Sequence, residues 1–181
     1  YTTSNNWGVW YDEPNGVLYG LFDRGVNIEV AIINPTAGTV TPHHSAIEPS
    51  GLAFGSGLMT GDSINNRIFV IIEASLYVID TQNTDTHYAL LFEDFWEEYT
   101  PSTLFGLEWD KTTEALYLLY TPGGGARKVI GFNEIEDGGE PQQTLDIELA
   151  FGDSLTTASG LSTMDSQSGQ FLFIGRPSGG A

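Results

Sequence analysis

Gly8-Val-Trp-Tyr-Asp12-Glu-Pro-Asn-Gly-Val-Leu18-Tyr-Gly-Leu-Phe22 and Gly106-Leu-Glu-Trp-Asp110-Lys-Thr-Thr-Glu-Ala-Leu116-Tyr-Leu-Leu-Tyr120 share one spacing, from Gly through Asp to Leu-Tyr. Internal similarity at a fixed period is the mark of a repeat architecture. A third copy, Gly160-Leu-Ser-Thr-Met-Asp165 followed by Phe171-Leu-Phe-Ile174, has one extra residue before its Asp. A fourth is read in Gly51-Leu-Ala-Phe54 followed by Ile68-Phe-Val-Ile-Ile72, with an insertion over 55–66. The copies start at Gly8, Gly51, Gly106 and Gly160, a period of 43 to 55 residues.

Each copy reads as two strands around a short polar turn, at 12–16, 110–114 and 165–169 in the three clearest cases. Asp12, Asp110 and Asp165 recur because a turn-opening Asp accepts hydrogen bonds from the backbone that follows it, which makes them structural. Two more strands follow in the first three copies: 28–34 with 39–42, 75–80 with 86–92, and 128–135 with 142–150. All are rich in Val, Ile, Tyr, Phe and Leu and punctuated by Asn, Asp, Gly and Pro. The longest window free of Gly and Pro, 62–100, is broken by Asn/Asp/Thr clusters, and only Glu93-Asp-Phe-Trp-Glu-Glu-Tyr99 suits a helical turn. The chain is therefore expected to be all-β.

Composition sets outer limits. A chain of 181 residues is long enough for one sizeable domain, burying roughly 70% of its unfolded surface. Acids outnumber bases 24 to six, giving a formal charge of −18, while aromatics reach 12%. That is a folded domain with an acidic skin, because disordered acidic tails are poor in aromatics. Too few Lys and Arg are present to face phosphates, which argues against nucleic acid and anionic membranes as partners. The absence of cysteine removes disulfides, thiolate metal sites and thiol catalysis. No apolar run approaches the roughly 18 residues of a membrane-spanning helix. The sequence opens at Tyr1 without initiator Met or signal peptide, as either a fragment or a processed secreted chain would.

Four-stranded units at this period, each opened by a Gly-led strand ending in Asp, resemble the blades of a β-propeller. Leu76-Tyr-Val-Ile-Asp80-Thr-Gln-Asn83 is similar to the third strand and turn of six- and seven-bladed propellers of secreted proteins. The resemblance covers nearly the whole chain as a single propeller-like domain over 1–181, with blades near 7–49, 50–101 and 102–156 and a partial one near 157–176. A β-sandwich or β-solenoid with hairpins of similar length is the alternative architecture. Three and a half blades fall short of the roughly four to eight that close a ring. Another chain, the same or different, is therefore expected to complete it, and open blades would otherwise expose edges and apolar faces.

The resemblance also implies where binding chemistry gathers, on loops at one mouth of the channel. Those are 43–50, 93–102 and 151–159, joined by 23–27, 73–75 and 121–128. They carry His43, His44, Glu48, Glu93, Asp94, Glu97, Glu98 and Asp153. In the run 93–99, Glu93, Asp94, Glu97 and Glu98 surround Phe95 and Trp96. Carboxylates beside aromatic platforms suit a cation or a sugar face, and an all-oxygen cluster favours Ca²⁺. Glu93, Asp94, Trp96, Glu97, Glu98 and His44 are thus the candidate ligand-binding residues, the four acids among them the candidate metal ligands. No Asp-x-Asp-x-Asp-Gly loop accompanies them. The opposing account is an exposed acidic loop with Trp96 packed between blades.

His43-His44 reads as a turn after Pro42, since neighbours on a strand point to opposite faces and chelate poorly together. His87 belongs to an outer strand. Glu136, Asp137 and Glu140 are solvated turn acids on the opposite face. Gly123-Gly-Gly-Ala-Arg127-Lys128 lacks the Gly-Lys-Ser/Thr ending and helix of a phosphate loop, and its two bases are expected to pair with the acidic mouth. No Gly-x-Ser-x-Gly elbow or His-Glu-x-x-His helix is present. The expected function is a non-catalytic extracellular binding or assembly module. The alternative is a metal-dependent hydrolase or carbohydrate-active propeller, built on a pair of carboxylates from distant loops.

Overall fold

Four hairpins in the chain are cut to one pattern. In each, an Asp closes the first strand, four turn residues follow, and the second strand begins opposite that Asp: Asp12↔Val17, Asp62↔Arg67, Asp110↔Ala115 and Asp165↔Gln170. The Asp carboxylate caps the turn it opens. Asp62 Oδ1 accepts from the Ile64 backbone N–H at 3.0 Å, Asp110 Oδ1 from Thr112 at 2.9 Å, and Asp165 Oδ1 from Gln167 at 3.0 Å. The other oxygen takes a side chain three residues on, from Asn15, Asn65, Thr113 or Ser168 at 2.6–2.8 Å. The fourth turn residue, Gly16, Asn66, Glu114 or Gly169, turns back through positive φ. Glycine and asparagine occupy that region readily, so Glu114 is the strained member of the set.

These hairpins organise the computed structural model, which describes residues 5–24, 28–47, 57–72, 75–83, 87–89, 101–123, 128–133, 142–148, 162–165 and 167–173. All elements among them are strands. The chain divides into two compact units, Tyr1–Leu90 and Leu91–Ala181.

The first unit holds two four-stranded antiparallel meanders. One is β1 (Asn5–Asp12), β2 (Val17–Asp23), β3 (Ile28–Asn34) and β4 (Thr39–Ile47); the other is β5 (Gly57–Asp62), β6 (Arg67–Ile72), β7 (Ser75–Asp80) and β8 (His87–Ala89). The second unit has a third meander, β9 (Pro101–Asp110), β10 (Ala115–Pro122), β11 (Lys128–Asn133) and β12 (Gln142–Glu148). It ends in a hairpin of β13 (Ser162–Asp165) and β14 (Gln170–Phe173). The fold is therefore all-β, built as three and a half propeller-type blades.

Within each unit the sheets meet through their first strands. In the first unit β1 lies against β5, and the indole of Trp10 packs so close to Gly61 that a Cβ there would sit 2.5 Å from the ring. Gly8 faces Met59 with more room, a Cβ there standing 3.5 Å from it. Tyr19, Leu21, Ile28, Val30, Met59, Ile68, Val70, Tyr77 and Ile79 fill the space between the two sheets. In the second unit β13 lies against β9, with the Ser162 side chain filling the place of a Gly106 Cβ. Phe105, Leu119 and Val129 form the core there, with Tyr117, Leu145 and Phe171 packed on it. Glycine in these two first strands is a matter of room: a larger side chain would push the sheets apart.

Two sequence expectations need correction. The second copy does not begin at Gly51, and 55–66 is no insertion: its first strand is β5, with Asp62 in the place of Asp12 and Ser63–Asn66 as the turn. The copy is hidden because Asn66, rather than glycine, takes the positive φ and Gly61 stands where the other copies carry Trp, Tyr or Met. His43 and His44 are not a turn after Pro42, for β4 runs on to Ile47. The strand bulges at this point, Val30 facing His44 and Ala31 facing Pro42, so His43 is the extra residue and pairing resumes beyond it.

Candidate interaction face and buried polar groups

Five acids, Asp12, Asp62, Asp80, Asp110 and Asp165, are held by the turns they open. Asp62 shows how firmly. Burial pushes its carboxyl up, but the bonds from Arg67 and Asn65 outweigh that and hold it below the usual range. Arg67 Nη2 lies 2.8 Å from Asp62 Oδ2, and its guanidinium caps the Phe69 ring at 5.3 Å. Arg24 pairs with Glu29 at 2.9 Å and Lys128 with Asp146 at 3.0 Å. Three of the six bases are thus engaged on their own sheets. The expectation that Lys128 serves an acidic mouth gives way to this cross-strand pair on β11 and β12. Arg127 lies outside the described residues.

Asp12 departs from the pattern. It is 1% exposed, yet its Oδ1 has no hydrogen-bond partner. The sequence explains why: the residue two places on, whose N–H satisfies this oxygen in the other three turns, is Pro14. Proline has no N–H to give. Nearby, Tyr19 stacks on Trp10 with ring centroids 5.6 Å apart, and His43 meets it edge-on at 5.3 Å. Burial, then the Asp12 carboxylate, push the Tyr19 phenol up, against a hydrogen bond with Thr81. Burial, then His44, pull the His43 imidazole down, against the Asp80 carbonyl and carboxylate. This is a neutral aromatic cluster between two sheets.

Glu108 is its counterpart in the second unit. It projects from β9 toward β13, accepting from Ser162 Oγ at 2.8 Å and from the Met164 backbone N–H. Burial dominates and pushes its carboxyl up to about 7. A carboxyl near that value sits in the range of general acids, but here both donors belong to the sheet packed on it. Its geometry is that of a strut between blades.

The candidate residues taken from sequence fare as follows. Glu93, Asp94, Trp96, Glu97 and Glu98 lie outside the described residues, as do Glu48, Glu136, Asp137, Glu140 and Asp153. His44 is buried in β4 opposite Val30, and His87 opens β8, the outer strand of its sheet. Among the described residues no group of three or more His, Asp or Glu is placed to hold a metal ion.

Sequence reading, directed at loops, missed a sheet face. Cross-strand partners in an antiparallel sheet share a side. On the side of the first sheet away from β5, one row runs Tyr11, Leu18, Ile33, Val40 and the next Val9, Gly20, Ala31, Pro42. Neither row contains a charge or a polar amide. Val9 and Tyr11 are each 56% exposed. The signal was present in β1, where Val9 and Tyr11 are apolar although they alternate with the half-buried Trp10 on the other side of the strand.

No protein-family model matches the chain, and no curated protein does. The functional reading therefore stands on the geometry.

Proposed function

We propose that this chain is a non-catalytic extracellular assembly or binding module, a set of β-propeller blades whose ring another chain completes. The observation that carries this reading is the pair of uncharged rows on the outer side of the first sheet, with Val9 and Tyr11 each 56% exposed, on a chain of net charge −18. Apolar side chains held exposed on an otherwise polar surface mark an interaction site, since leaving them in water costs free energy that a partner recovers. The acids that can be followed support the same reading: Asp62, Asp110, Asp165 and Glu108 are bonded into turns or between sheets, where they hold architecture. Blade stacking explains why Gly61 and Gly106 stand where neighbouring first strands touch.

Sedimentation velocity combined with hydroxyl-radical footprinting tests this. The expected result is a species heavier than the 19.7 kDa chain, in which oxidation of Tyr11 falls as the chain associates. A monomer whose Tyr11 resists oxidation would be closed by itself and would contradict the proposal.

A further inference from the structure

The repeat assigns a partner to the open face. Counting back from the turn Asp, the residues one and three places before it face the sheet that precedes theirs. In β5 these are Gly61 and Met59, which meet Trp10 and Gly8 of β1. In β13 the residue three places back is Ser162, which meets Gly106 and bonds Glu108 of β9. Two independent sheet pairs, one in each unit, thus obey one rule. In β1 the same two positions are Tyr11 and Val9, and they are the exposed ones. They belong to a socket made for the first strand of a preceding blade.

The matching plug is the opposite side of the last hairpin. Phe171 turns into the core with β9, so Leu172, its neighbour on β14, faces the other way beside Thr163 and is 47% exposed. By the repeat rule this is the side that a following blade covers. We propose that a second copy of this chain seats its β13–β14 hairpin on the β1 face, Leu172 and Thr163 against Val9 and Tyr11. The contact is head-to-tail, and two copies related by a two-fold axis make it twice. The inference rests on the assembly reading above and names its partner. The contacting rows themselves carry no carboxylate, which keeps the cost of bringing two chains of −18 together low, while Asp165 and Glu29 stand in the next row on the plug side and the socket side.

Paired face variants of the full chain, read by light scattering, test it. Tyr11→Glu spoils only the socket and Leu172→Glu only the plug. Both side chains are about half exposed in the single chain, so folding is expected to survive. Val9→Lys and Thr163→Glu serve as second variants, with near-ultraviolet circular dichroism confirming packing. The parent chain is expected to be a dimer and each variant alone a monomer, with an at least tenfold weaker self-association. A one-to-one mixture of Tyr11→Glu with Leu172→Glu is expected to recover dimers, because one unspoiled socket still meets one unspoiled plug. Dimers that survive either substitution would overturn the face assignment while leaving assembly standing. So would a mixture that stays monomeric. A parent chain that is monomeric with Tyr11 freely oxidised would overturn the second copy as partner, and the open face would then await a different chain.

Discussion

At the scale of single residues, the molecule puts its few bases and its repeated acids to structural use. Asp62 is 1% exposed, and against that burial Arg67 and Asn65 hold its carboxyl below the usual range. Arg67→Met keeps the apolar stem over Phe69 but leaves that charge with fewer partners. It is expected to cost roughly 2–3 kcal/mol in urea unfolding; an unchanged midpoint would show that the pair contributes nothing. Glu108 and His43 make opposite contributions to pH dependence. The folded chain holds a proton on Glu108 that the unfolded chain releases above its ordinary value of 4.5. Folding is therefore weakened as pH rises from there to about 7. His43 binds its proton more weakly when folded than its ordinary value of 6.5, so its contribution is lost as pH falls below that. In the parent chain the two slopes oppose each other. Glu108→Gln should remove the first, leaving a stability that climbs more steeply between about pH 5 and 7 than the parent's. Superimposable profiles would refute the strut assignment.

At the scale of the element, the Asp-opened hairpin is the unit that repeats. It was partly legible in the sequence. Three of the four turns were found through their leading glycine, and the structural role of Asp12, Asp110 and Asp165 followed from turn chemistry. The turn at Asp62 was missed because the constant parts are the Asp, the Asn/Thr/Ser three places on and the positive φ after it, while the leading glycine is not. Packing between first strands decides whether a glycine is needed, and a single strand's sequence does not reveal its neighbour. The bulge at His43 is similar: nothing local distinguishes a strand that continues past Pro42 from a turn. Glu114 gives this scale its test, as the one turn residue with positive φ that is neither Gly nor Asn. Glu114→Gly should stabilise the chain by about 0.5–1 kcal/mol, the strain relieved exceeding the added backbone entropy. Thermal melting is expected to rise by about 2 °C. Glu114→Ala, which keeps a Cβ, should bring no such gain.

For the whole molecule, the sequence led from an acidic composition and an incomplete count of blades to the expectation of an assembly. The structure adds a face of the first sheet on which Val9 and Tyr11 stand exposed. That face was not legible from sequence because its eight residues come from four strands and join only through register. Strong self-repulsion and the proposed apolar contact together set the expected salt dependence. Each copy carries −18, so association should tighten as salt screens the charges, by about tenfold between low and physiological ionic strength. Contacts built from ion pairs would weaken instead, and dilution series at two salt concentrations distinguish the two. The most direct measurement is a photo-crosslink from a benzoylphenylalanine placed at position 11, with the joined peptides identified by mass spectrometry. The account expects an intermolecular product linking position 11 to residues 162–173 of a second copy. Crosslinks confined to position 11's own chain, or reaching a second copy elsewhere, would contradict it.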